Sequence, residues 1–284
     1  MSRVNRKKIL RFNGISIHGV EDNIAGEEPL EIRIRYGRSE QRKTKSIAVT
    51  MRTEGDDEDL IRGFLFTENI IDSGEEIQMI KRLDETNRIL VELATTKTVD
   101  IDSLTRHVFT SSSCGVCGKA SLEQVRNVIP HVLKRNHPKV LLEEIITWPI
   151  LARQKQETFT STGGLHAAAL FSQDGTLLAL KEDVGRHNAM DKLIGYALRG
   201  RLLPLSETIC LLSGRASFEL VQKGLMAGIP VLLAVGAPSS LAVELAADNN
   251  LTLIGFLRDH QCNIYSGLER IDLPGSGEEG YHLD

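Results

Sequence analysis

The sequence has no run of about 18 apolar residues, so it offers no candidate membrane-spanning helix. It has no marked excess of either charge: 34 Lys and Arg stand against 38 Asp and Glu, a formal net charge of −4. That balance excludes the electrostatic footprint of a nucleic-acid or anionic-membrane binder, though local basic spots are compatible with it. The basic start MSRVNRKKILRFNG lacks the apolar stretch of a secretory signal, so a cytoplasmic protein is expected. Internal repeats, low-complexity tracts and heptads are missing too. Cysteine is scarce, with four in 284 residues. In a reducing compartment those four do not form a disulfide framework, which moves a CxxC toward metal binding or catalysis.

What is present is a globular composition, 41% hydrophobic and 25% charged, in a chain longer than one average domain. In the first hundred residues KKILRF, LEIRIRYG, KSIAVTMR, EIQMIKRL and RILVEL read as strands. DDEDLIRGFLFTENII, with acids at its front, reads as a helix. Gln124 to Trp148 is expected to run helix, loop, helix, broken at Pro130 and Pro138. LHAAALF and TLLALKED form a strand pair turning at Gln173–Gly175. Helices NAMDKLIGYALRG, SFELVQKGLMAG and SSLAVELAADNN then alternate with the apolar strands ETICLLSG, VLLAVG and LTLIGFLR, the pattern of a layered α/β sheet with parallel strands. The expected organisation is an α+β lobe over residues 1–110, a CxxC loop and connecting helix over 111–140, an α/β lobe over 141–270 and a frayed Gly-rich tail over 271–284.

Cys210, inside ETICLLSG, reads as a small core hydrophobe, and Cys262, in DHQCNIYSG, as nearer a loop. Cys114 and Cys117 occupy FTSSSCGVCGKASLEQV and admit three chemistries. A structural zinc site needs about four ligands, of which one CxxC supplies two. A thioredoxin-like dithiol fits a CxxC followed by a helix. A persulfide carrier needs an accessible thiolate on a mobile chain; Gly115, Gly118 and Ser111 to Ser113 supply the mobility, and a helix start near Gly118 with Lys119 favours the thiolate. The turn alone does not separate the last two.

KEDVGRHNAMDKL packs Glu182, Asp183, Arg186, His187, Asp191 and Lys192 at a strand-to-helix junction, where ligands of parallel sheets bind. The structural alternative is that Asn188 caps the helix and the charges are solvated. Ser213, Gly214 and Arg215 in SGRASFEL, and the turn GAPSSLAVEL, follow apolar strands and open helices, so their N–H groups can cradle phosphate and Arg215 can pair with it. Arg186 and Arg258 add to this. TGGLHAAALF, with Gly163 and Gly164, has Ala168 where a zinc deaminase carries its Glu, and no PCxxC follows. Both absences argue against deamination.

Together SSSCGVCG, TGGLHAAAL, EDVGRHNAMDKLIG, SGRASFELVQKG and FLRDHQCNIYSG resemble the FdhD family, in order, from about Pro29 to Gly267. The resemblance implies a sulfur carrier, a sulfurtransferase, that accepts persulfide sulfur from a cysteine desulfurase. It would pass that sulfur to the molybdenum bis(molybdopterin guanine dinucleotide) cofactor destined for formate dehydrogenase, with the cofactor bound as substrate and no structural metal. It implies a homodimer, and a C-terminal three-layer cytidine deaminase-like sheet lacking the zinc site. Carried over by residue, Cys114 would hold the persulfide and Cys117 assist or resolve, while Phe256, Leu257, Arg258, Asp259, His260 and Gln261 match the cofactor-binding segment. The family pattern has a glycine and a basic residue where this chain has Asp259 to Gln261. Two other classes stay open: a CxxC dithiol oxidoreductase, and a cofactor chaperone needing neither cysteine.

Overall fold

The computed structural model describes residues 3–83, 87–97, 129–258 and 260–273. It divides into two compact units interleaved along the chain: Met1–Asn127 with Gln156–Ala167 and Lys181–Leu202, and Val128–Lys155 with Ala168–Leu180 and Leu203–Asp284. This differs from a division into successive spans, because a helix expected in the second lobe packs on the first.

In the first unit β1 (Val4–Phe12) and β2 (Ile17–Ala25) form an antiparallel ribbon of two strands. A four-stranded sheet follows in the order β4 (Lys43–Arg52), β3 (Glu28–Tyr36), β6 (Arg88–Leu93), β5 (Ile77–Arg82). Its apolar residues alternate, so Leu30, Ile32 and Ile34 of β3 and Ile89, Val91 and Leu93 of β6 share the core face. Helix α1 (Asp57–Thr67) contributes Leu60, Ile61 and Leu65 to the same unit's core. Its N-terminus is tied down by buried charge: Arg52, with no exposed surface, donates to Asp57 at 2.8 and 3.1 Å.

In the second unit come β7 (Val140–Leu141), α2 (Leu142–Ile145) and α3 (Trp148–Gln154). Trp148 therefore starts a helix where the sequence suggested an end, and 129–139 is irregular. After α4 (Glu157–Thr162), which belongs to the first unit, β8 (His166–Ser172) and β9 (Leu177–Asp183) form the expected hairpin. Then follow α5 (Arg186–Arg199), which also belongs to the first unit, and β10 (Thr208–Leu212), α6 (Phe218–Met226), β11 (Val231–Ala234), α7 (Ser240–Asp248), β12 (Thr252–Arg258), β13 (Gln261–Ser266) and β14 (Ile271–Asp272). The six-stranded sheet runs β13-β12-β11-β10-β8-β9. Strands β10, β11 and β12 are parallel, whereas β8 and β13 run antiparallel to their neighbours, so the sheet is mixed at both flanks. Trp148 stacks on Phe171 with centroids 4.7 Å apart, anchoring α3.

The α/β class expected from the sequence is what the chain adopts. Four strands escaped the sequence reading: β2, β13 and the short pair β7 and β14, the last of which occupies the start of the tail expected to be frayed. In β2 the polar run Glu21, Asp22, Asn23 hides a strand whose partners Lys8, Lys7 and Arg6 lie directly opposite. β13 corrects the placement of Cys262, which sits in a strand, half-buried against the core. Cys210 is fully buried, and burial pushes its thiol up to about 12, so it is an inert core residue.

Candidate functional site

Cys114, Cys117 and Asp259 lie outside the described residues; the other expected site residues fall into two sets, one in each unit.

In the first unit the charged stretch from the end of β9 is largely structural, which corrects the expected ligand-binding role of Asp183 and also departs from the alternative of solvated charges. Asp183 has no exposed surface. Its carboxylate accepts from Thr53 N at 3.1 Å, Gly185 N at 2.8 Å and Asn188 Nδ2 at 3.0 Å, and pairs with Lys192 Nζ at 2.7 Å. Lys192, equally buried, also donates to the Thr53 carbonyl at 2.9 Å. Asn188 does not cap α5: the N-cap is Gly185, and Asn188 Nδ2 also donates to the Met51 carbonyl at 2.8 Å. Asp183 was expected near a ligand, but its carboxylate is saturated by the protein and holds the turn from strand to helix. Asp191 likewise accepts from Thr67 Oγ1 at 2.8 Å. Asp183→Asn should leave Lys192 as an uncompensated buried charge and cost about 3–5 kcal/mol. Urea unfolding of the variant measures this; a loss under about 1 kcal/mol contradicts a buried pair.

That knot leaves Arg186 and His187, the first two residues of α5, partly exposed. The Arg186 Nε is buried and has no hydrogen-bond partner. Glu182 turns the other way, accepting Thr158 N at 3.1 Å and Phe159 N at 2.8 Å and so fixing the start of α4. That helix ends at Gly163, in the left-handed region at φ 69°, and the chain passes through exposed Gly164 to His166 at the head of β8. His166 is half-buried, and burial, then the charges of Arg186 and His187, hold its imidazole below the usual range. The sequence reading took Gly163 and Gly164 from this motif as site candidates and left out His166, which it weighed only as the first residue of a deaminase signature.

In the second unit Ser213, Gly214 and Arg215 follow β10, and Gly236 follows β11. The two turns are joined: Gly236 N donates to the Gly214 carbonyl at 3.0 Å, Ala216 N to Ala237 at 3.2 Å and Ser239 N to Ala216 at 3.0 Å. A Cβ on Gly236 would stand 3.0 Å from Arg215 N, so glycine permits the close approach. Phe256 N then donates to the Gly236 carbonyl at 3.1 Å, linking both turns to the end of β12. Phe256 holds φ 53° at a register shift between β12 and β13, a strained conformation for an aromatic residue. The bulge sends Leu257 into the core with no exposed surface, which corrects its expected ligand contact, and leaves Arg258 exposed. Phe256, Arg258, Gln261, Cys262 and Asn263 line a cavity of about 340 Å³; exposed His260, at φ 59°, closes the turn between the strands. The sequence reading omitted Cys262 and Asn263, whose signal was the alternation of QCNIYS. All these groups lie at the carboxyl ends of the parallel strands, where layered sheets bind ligands. Among the described residues no three His, Cys, Asp or Glu side chains are placed to hold a metal ion, and no helix is long and apolar enough to cross a membrane.

The pattern of the FdhD/NarQ family matches residues 25–272. The chain is similar to the Sulfur carrier protein FdhD of Streptomyces avermitilis, with 46% identity covering 99% of this chain and 100% of that protein. It is 41% identical to the protein of that name from Saccharolobus solfataricus, over 95% of this chain and 98% of the relative. Its fold matches a crystal structure described as a formate dehydrogenase accessory protein from Desulfotalea psychrophila, with a TM-score of 0.70, 24% identity and coverage of 94% and 99%. With 248 consecutive positions, 25 to 272, inside the family pattern and near full-length relatives on both counts, this chain belongs to the FdhD/NarQ family.

Proposed function

We propose that this protein is a sulfur carrier that takes persulfide sulfur from a cysteine desulfurase onto Cys114 and delivers it to a molybdenum bis(guanine dinucleotide) cofactor on its way to formate dehydrogenase. The curated relatives' shared name supports the carrier role. One structural observation supports the nucleotide: the joined turns at the carboxyl ends of β10, β11 and β12, with exposed Arg215 and Arg258 beside them. Backbone N–H groups at helix starts together with guanidinium forks suit a pyrophosphate. The strained Phe256 presents an aromatic surface beside Arg258 in the same cavity.

The chemistry balances in two steps. The Cys114 thiolate attacks the outer sulfur of the donor's persulfide, forming a new S–S bond and releasing the donor's thiolate. Cys117 then attacks the inner sulfur of the Cys114 persulfide, so hydrosulfide leaves toward the metal and a Cys114–Cys117 disulfide remains. The thiols supply the two electrons that turn sulfane sulfur into sulfide, and a dithiol reductant resets the pair.

Binding of guanosine diphosphate tests the nucleotide half. Arg215→Ala and Arg258→Ala should each weaken it about tenfold, the loss of one charge-assisted contact. Unchanged affinity in both variants would remove the nucleotide from these turns.

A further inference from the structure

We propose that the ribbon of β1 and β2 is a docking arm whose apolar end is covered by the body of a second copy of this chain. The homodimer expected from the sequence leaves its surface open; the arm supplies one, and it does so independently of the sulfur chemistry.

Among the described residues β1 and β2 pair only with each other, from Val4 opposite Ala25 to Phe12 opposite Ile17. The base of the ribbon is fastened: Gly26 N donates to the Arg3 carbonyl at 2.8 Å, and Arg3 pairs with Asp56 at 3.0 Å. Ile9 and Val20, further out, are partly buried. Beyond them the apolar side chains have no cover, with exposure of 77% at Leu10, 67% at Phe12, 93% at Ile15 and 65% at Ile17. Phe12 stands opposite Ile17 and Leu10 two residues before Phe12, so these three share one face, and Ile15 lies in the turn between the strands. A two-stranded ribbon alone in water is marginal, and a cluster of large apolar residues at its free end marks an interface.

Charge selects the occupant. Residues 1–25 hold five basic side chains, Arg3, Arg6, Lys7, Lys8 and Arg11, and two acids, Glu21 and Asp22, a formal charge of +3. The whole chain carries −4, so the remainder carries −7. Two arms therefore repel each other, while an arm is attracted to the body of another copy. An anionic lipid surface would attract the arm but repel that body. A two-fold axis makes the contact of arm with body twice and closes the assembly as a dimer.

The test is analytical ultracentrifugation of the full chain over a wide range of concentration. The parent should sediment at twice the mass of the chain, and added salt should loosen that dimer by screening the arm from the body. Phe12→Ser combined with Ile15→Ser should raise the dimer dissociation constant about a hundredfold, the loss of two apolar anchors. Both side chains are exposed, so circular dichroism of the variant should match the parent. Ile15→Ser alone, in the turn, should raise the constant about tenfold and keeps the test decisive if the double variant does not fold. A parent that is monomeric throughout overturns the proposal, including one that instead co-sediments with phosphatidylserine vesicles. So does a dimer that salt tightens, or one that Ile15→Ser leaves unchanged. Sulfur loading on Cys114 is measured separately, and its failure would leave this result standing.

Discussion

Cys114→Ala should reduce formate dehydrogenase maturation by about a hundredfold or more, the scale of loss that follows deletion of a covalent nucleophile. Guanosine diphosphate binding should be unchanged, because Arg215, Gly236 and Arg258 make no covalent demand on the thiol. Cys117→Ala should behave differently. If Cys117 only resolves the persulfide, an added dithiol can attack the same inner sulfur, so the variant should lose activity alone and regain most of it with the small thiol present. Equal and unrescued losses in both variants, with a reversible Cys114–Cys117 couple, would describe a dithiol oxidoreductase. Full activity in both would describe a chaperone that binds the cofactor and carries no sulfur.

How much of this was legible beforehand differs by level. Strands with clean alternation, such as LEIRIRYG, and helices with spaced apolar residues were visible because local pattern and tertiary role agree there. β2 was not, since its polar centre is explained only by the basic residues across the ribbon. The βα turns were legible as turns, but their joining through Gly236 and Gly214 depends on spatial neighbours far apart in the chain. The charged stretch after β9 was legible as important and misjudged in kind. Ionisable groups read alike on paper whether they face a ligand or, like Asp183 and Lys192, neutralise each other in the interior. Only the set of partners distinguishes them.

Gly195→Ala shows the same limit with a second large effect. Replacing a mid-helix glycine by alanine ordinarily gains about 0.5–1 kcal/mol through helix propensity. Here α5 crosses α1 at two glycines: a Cβ on Gly195 would land on the Asp59 carbonyl, and one on Gly63 on the Asp191 carbonyl. These are backbone atoms within packed helices, so no side chain can swing aside. Separating the helices would also disturb Asp59, which accepts from Lys181 Nζ at 2.9 Å and Arg199 Nε at 2.7 Å. The expected outcome is a loss of about 3 kcal/mol or more, beyond the usual cost of overpacking and a large part of the stability of an ordinary domain. Chemical denaturation reads it out as a lower midpoint, or soluble expression fails. A variant as stable as the parent would mean that α1 and α5 do not cross at these glycines.

The most direct measurement is the intact mass of the protein after incubation with a cysteine desulfurase and cysteine, before and after reduction, with peptide mapping. A carrier gains about 32 Da, one sulfur atom, on Cys114, and loses it to reductant, as expected of a persulfide on an activated thiolate. A loss of about 2 Da with no sulfur gained would mean that Cys114 and Cys117 form a redox dithiol, and would contradict the carrier account.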